Sequence, residues 1–150
     1  MGELKDRLHS DLTTSMKARD ELRTATLRMV LTAIGMEEVA GKAARVLTAD
    51  EELKVLGREA KKRREAAEAF RSGGAHDRAQ REVDEEAVLA GYLPAQLTDG
   101  DLSSLVARAV AETGASGPQA MGVVMKAVAP LVAGRAEGGR VAAAVRAALA

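Results

Sequence analysis

The sequence predicts an all-α fold, with a helical N-terminal part of about four helices followed by a small three-helix C-terminal bundle. Three observations carry this. Apolar residues recur at helical spacing along the chain, and no alternating strand pattern interrupts them. The composition is rich in Ala, Leu, Glu, Lys and Arg, and the 150 residues hold one Phe and one Tyr. The breaks between periodic stretches carry helix-capping and helix-stopping residues.

The first helix is read from Leu4, Leu8, Leu12 and Met16, a four-residue spacing that drifts slowly around the helix and ends near Arg19. Asp20 caps the second, whose apolar residues Leu22, Leu27, Met29, Val30, Leu31 and Ile34 cover more than one face. That helix is expected to be central, buried on two sides, and to end toward Gly41. Thr48 and Glu51 form a capping box at the start of the third. Leu53, Leu56, Ala60, Arg63, Ala67 and Phe70 follow as a helix–helix seam, stopped by Ser72-Gly73-Gly74. A fourth helix, about 75–90, presents Ala79, Val83, Ala87 and Ala90 inward and ends at Gly91.

Gly91-Tyr92-Leu93-Pro94 is the expected boundary between domains 1–93 and 94–150. Pro94 disfavours helix at Leu93, and charge density falls sharply beyond it. Thr98 or Asp99 caps a fifth helix with Leu102, Leu105, Val106, Ala109 and Val110 inward. Gly114 stops it, and Ser116 with Gln119 reads as another capping box around Pro118. The sixth helix buries Met121, Val124, Met125 and Val128 and is ended or kinked by Pro130; the last, about 138–149, buries Val141, Val145 and Leu149.

The 22 basic and 22 acidic residues cancel, which argues against a general polyanion binder. Two aromatic residues cannot form a stacking platform for single-stranded bases. Without cysteine there is no disulfide or thiolate site, and His9 and His76 have no partner at ligand spacing, so no metal or cofactor is expected. Signal-peptide, myristoylation and membrane-span patterns are absent, and the expected location is the cytoplasm. There is no nucleophile elbow and no phosphate-binding P-loop; Glu37/Glu38, Glu51/Glu52 and Glu85/Glu86 are sequence neighbours that point to different helix faces. No catalytic set emerges.

Two basic stretches remain. Lys61-Lys62-Arg63-Arg64 is balanced by Glu59, Glu65 and Glu68 at helical spacing and reads as a self-neutralised face. Arg63 alone falls on the apolar seam, to snorkel or to pair with an acid from another helix. The second stretch runs from Met121-Gly-Val-Val-Met-Lys126 to Ala133-Gly-Arg-Ala-Glu-Gly-Gly-Arg140. No acid occurs between Thr113 and Ala136. A helix end and glycine turn lined by Lys126, Arg135 and Arg140 suit a phosphate-bearing partner; they equally suit a plain helix–turn–helix corner.

Several of these segments match a known pattern in order. They are Thr26-Leu-Arg28-Met-Val-Leu31 with Ala33-Ile34, Lys61 to Arg64 leading to Phe70, Tyr92-Leu-Pro94-Ala-Gln96-Leu97, Met121-Gly122-x-Val124-Met125-Lys126, and Gly134-Arg135-Ala136. The chain resembles the YqeY family, stand-alone relatives of the C-terminal tail of the B subunit of tRNA-dependent Asp/Glu amidotransferase. The resemblance implies a two-part helical fold whose C-terminal part contacts tRNA, or a tRNA-bearing amidotransferase or synthetase complex. It carries over Gly122, Lys126, Gly134 and Arg135, which with Arg140 form the candidate RNA-binding set. Glu137 stands where the family usually has Asp. The alternative is a protein-interaction adaptor using the N-terminal helices; a glutamine-dependent carbon–nitrogen ligase ranks last, because the B subunit's catalytic domain has no counterpart here.

Overall fold

The computed structural model describes residues 2–150. Among them are seven α-helices and one short 3-10 turn, and no strand. They are α1 (Glu3–Lys17), α2 (Glu21–Glu38), α3 (Ala49–Ser72), α4 (His76–Ala90), α5 (Asp99–Thr113), α6 (Met121–Val132) and α7 (Gly138–Leu149), with the 3-10 turn at Pro118–Ala120. Contacts divide the chain into one compact unit ending at Leu93 and another beginning at Pro94.

In the N-terminal unit α2 is central and packs against α1, α3 and α4. Its residues Leu27, Val30 and Ile34 meet Leu8, Val55, Leu56 and Leu89 in one core. Asp20 caps it, accepting from the Arg23 N–H at 3.1 Å. The Thr48–Glu51 box forms in both directions, at 3.2 and 2.8 Å. The Arg45 guanidinium, and after it the Thr48 N–H, hold the Glu51 carboxyl down at about 2.

Some side chains face otherwise than periodicity predicts. Met16 is exposed and Ser15 takes its inward place, bonding to Thr24 at 2.9 Å. Met29 is likewise exposed on α2, and that helix ends at Glu38, short of Gly41. On α3, Leu53 and Phe70 are half-buried while Val55, Glu52 and Glu59 are buried. On α4, Ala87 and Ala90 are exposed, and Glu85 and Leu89 face inward with Ala79. A reading that scores only apolar residues misses carboxylates drawn inward by a cation. For Glu59 and Glu85 that cation is Arg63, whose Nη1 lies 3.3 Å from Glu59 and whose Nε lies 3.7 Å from Glu85 on α4.

The C-terminal unit is a three-helix bundle with an apolar core of Leu97, Leu102, Val106, Ala109, Val124, Val128, Val132, Val141, Val145 and Leu149. Thr98 is the cap of α5 and forms a box with Asp101. Gly114 ends α5 at φ 65, a left-handed position that glycine occupies without steric cost. The expected Ser116–Gln119 box does not form. Gly117, at φ 80, precedes the 3-10 turn, no side chain caps it, and Pro118 occupies the first turn as expected. Met121 and Met125 are half-buried, and Val132 completes the inward face of α6. Pro130 lies inside that helix on its exposed side and does not stop it; the chain turns at Ala133. No helix of the described residues is long and apolar enough to cross a membrane.

Candidate nucleic-acid interface

The basic turn was expected to offer Lys126, Arg135 and Arg140 together, but the fold distributes them. α6 is 12 residues long, about 18 Å at the usual helical rise. Gly122 lies in its first turn and Gly134 just past its end, so the two glycines mark opposite ends of one helix.

At the far end, Ala133 and Gly134 take consecutive left-handed conformations, at φ 49 and 76. The alanine pays a steric penalty there that a glycine would not. Arg135 holds the turn. Its guanidinium donates to the Val132 carbonyl from Nε at 3.1 Å and to the Leu131 carbonyl from Nη2 at 2.8 Å. These are the orphan carbonyls at the C-terminus of α6, where positive charge is favourable. The Arg135 carbonyl in turn accepts from the Leu97 N–H at 2.7 Å.

Arg140 completes a clamp on the same segment. Its Nη2 donates to the Leu97 carbonyl at 2.9 Å and to Asp99 Oδ1 at 2.8 Å. Leu97 is thus gripped through both backbone groups, which ties the entry of α5 to the turn between α6 and α7. The Asp99 side chain is 96% exposed and that of Arg140 36% exposed, so this ion pair is wet and exchangeable. Arg135 is therefore chiefly a helix-end cap, and Arg140 is shared between a clamp and the surface.

Lys126 differs from both. It lies on the exposed face of α6 four residues after Gly122, and among the described residues its ammonium has no hydrogen-bond or ion-pair partner. α6 carries no carboxylate. A Cβ built on Gly122 meets nothing within 4 Å, nor does one on Gly138 at the start of α7. Packing in this unit therefore does not require those glycines.

Leu97 and Asp99 are neighbours of the candidate residues that sequence reasoning missed. Asp99 was legible only as a possible cap, and its pairing with Arg140, 41 residues on, leaves no local signal. The Lys61–Arg64 run is paired, as the spacing indicates: Lys61 with Glu65, Lys62 with Glu59, Arg63 with Glu59 and Glu85. Arg64 also reaches Glu86 on α4 at 2.8 Å. Among the described residues no group of three His, Asp or Glu side chains is placed to hold a metal ion.

A family model described as Yqey-like protein matches residues 5–149. The chain belongs to the YqeY family. No curated protein matches it. The match runs through both units, and its span takes in Tyr92 as well as the α6–α7 turn. The buried phenol of Tyr92 donates to Asp11 and accepts from Arg23, with Arg7 stacked 4.6 Å over the ring. Burial first, then the hydrogen bond to Asp11, pushes the Tyr92 hydroxyl up to about 12, so it stays neutral and serves as a tie between α1, α2 and the end of α4.

Proposed function

We propose that this YqeY-family chain is a non-catalytic helical module that contacts tRNA, or a tRNA-bearing complex in the cytoplasm, through α6 and the turn into α7. The observation that supports this most directly is Lys126: an exposed, unpaired cation at the middle of a helix without a single carboxylate. Gly122 beside it leaves room for a backbone to approach, and Arg140 can trade its exposed partner Asp99 for a phosphate. Gly134 and Arg135 shape the turn. With one or two phosphates engaged, log affinity falls against log salt with a slope of about −1 to −2, weak binding that a larger complex would reinforce.

The charges of α3 are largely paired with one another and with α4, so a protein-interaction adaptor would have to use another face of the N-terminal helices. Titrating tRNA at low salt against the wild-type chain and Lys126→Glu tests the proposal. Wild type should bind and the variant should bind at least severalfold more weakly with a shallower salt slope. Equal binding by the two, or none by the wild type, overturns it. Clean turnover of glutamine with misacylated tRNA by the purified chain would overturn the non-catalytic half.

A further inference from the structure

The outer face of α2 is apolar and its charges are unbalanced. Helical geometry puts Ala25, Arg28, Met29, Thr32 and Met36 on one side, opposite the buried Leu27, Val30 and Ile34, and Val39 follows at the C-cap. Met36 is 67% and Val39 62% exposed, against the usual preference of such side chains for burial. Thr32 turns its hydroxyl back onto the Arg28 carbonyl at 2.9 Å, which removes a polar group from the middle of the strip. Gly35, on the edge of the strip, has nothing within 4 Å of a built Cβ. Methionine-rich helical faces of this kind accept apolar ridges because the side chain adapts its shape.

Charge decides what fits there. Every carboxylate of α2 and its cap is already occupied: Asp20 by the Arg23 N–H, Glu21 by Arg81, Glu37 by Arg58 and Glu38 by Lys5. Arg28 has no carboxylate partner and touches only the sulfur of Met16 at 3.3 Å. Where the strip begins, an open cleft of about 350 Å³ lies between Met16, Arg19, Glu21, Thr24, Ala25 and Arg28. Its one acid, Glu21, is held through both oxygens by Arg81. Among the described residues Arg19 and the neighbouring Lys17 form no ion pair either.

We infer that this face docks an amphipathic helix of another protein, whose apolar ridge lies along Met29, Met36 and Val39 and whose carboxylates meet Arg28 and Arg19 at the cleft. A second copy of the chain fits poorly, because the matching face would bring cations and no uncommitted acid. A nucleic acid fits poorly too: the strip beyond Arg28 offers a polyanion nothing, and the N-terminal unit holds slightly more acids than bases. The surface belongs to the N-terminal unit and Lys126 to the C-terminal one, and the inference does not depend on RNA binding.

The test is photo-crosslinking in cells from a benzophenone side chain placed at position 36 of the full chain, with position 13 on α1 as control, followed by mass spectrometry of the crosslinked peptide. The expected product is an amphipathic helical segment with two or more carboxylates at one end, enriched at least tenfold over the control and lost at least tenfold in Arg28→Glu. Arg28 is exposed, so the variant should keep its unfolding midpoint, and a melt confirms that. Crosslinks to the chain itself, to a second copy or to RNA overturn the inference, as does a yield no higher than the control's or one unchanged by Arg28→Glu.

Discussion

Every buried polar or charged side chain among the described residues lies in the N-terminal unit: Ser15, Thr26, Glu52, Glu59, Arg63 and Glu85. The C-terminal unit buries only aliphatic side chains and keeps its cations on the surface or at helix ends. The first unit thus spends charge on holding four helices in one arrangement. Arg63 sits between α3 and α4 with its Nε unsatisfied, and the Glu52 carboxylate receives the Lys5 N–H in the first turn of α1 at 3.1 Å. The second is held together by apolar packing and two arginine clamps, and Lys126 takes no part in either. Buried charge is costly to break but contributes little net stability, whereas apolar burial is cheap to erode in small steps.

The largest effect should come from breaking that buried network. Arg63→Ala leaves Glu59 and Glu85 without their shared cation and should cost about 3–5 kcal/mol in urea unfolding. A loss under about 1 kcal/mol would mean that Lys62 and Arg81, each already bonded to one of these acids, suffice. In the apolar unit, Val128→Ala should cost roughly 1–3 kcal/mol and unfold that unit first.

The two capping boxes compare the units directly. Thr48→Ala and Thr98→Ala each remove the hydroxyl acceptor of one box while the backbone N–H keeps its bond to the carboxylate, and each should cost about 1 kcal/mol. Scanning calorimetry should show the larger shift of midpoint for Thr98→Ala, because the smaller unit has the smaller unfolding entropy.

The pH response belongs to the first unit. Burial raises the carboxyl of Glu52, and burial followed by repulsion from Glu85 raises that of Glu82. A raised carboxyl favours the fold while protonated. Its contribution is fully present below the ordinary range near 4.5 and is lost as pH rises through the folded value. Glu52→Gln keeps an acceptor for the Lys5 N–H, so its urea midpoint should fall less than the wild type's between about pH 4 and pH 7. Parallel curves would show that Glu52 ionises without cost. The smallest effect is expected at Gly122→Ala, which should stabilise α6 by about 0.5–1 kcal/mol, since nothing surrounds the new methyl. Should the same variant weaken tRNA binding, close approach at that glycine is the reason.

Much of this protein was legible before any coordinate. Helical periodicity, the Asp20 cap, the Thr48–Glu51 box and the glycine stop after Ser72 are local, and local rules read them correctly. The order of short motifs pointed to the YqeY family, whose model covers residues 5–149. Illegible were the pairings between distant residues: Arg63 with Glu85, Tyr92 with Asp11, and Arg140 with Leu97 and Asp99. Sequence alone determined that the chain is helical, that Asp20 and Thr48 cap their helices, and which basic residues were candidates. Only the tertiary structure decided that Arg135 and Arg140 are largely committed to the fold while Lys126 and Arg28 are not. Capping depends on neighbours a few residues away, whereas a cation's availability depends on which acceptors the packed chain brings within about 3 Å of it.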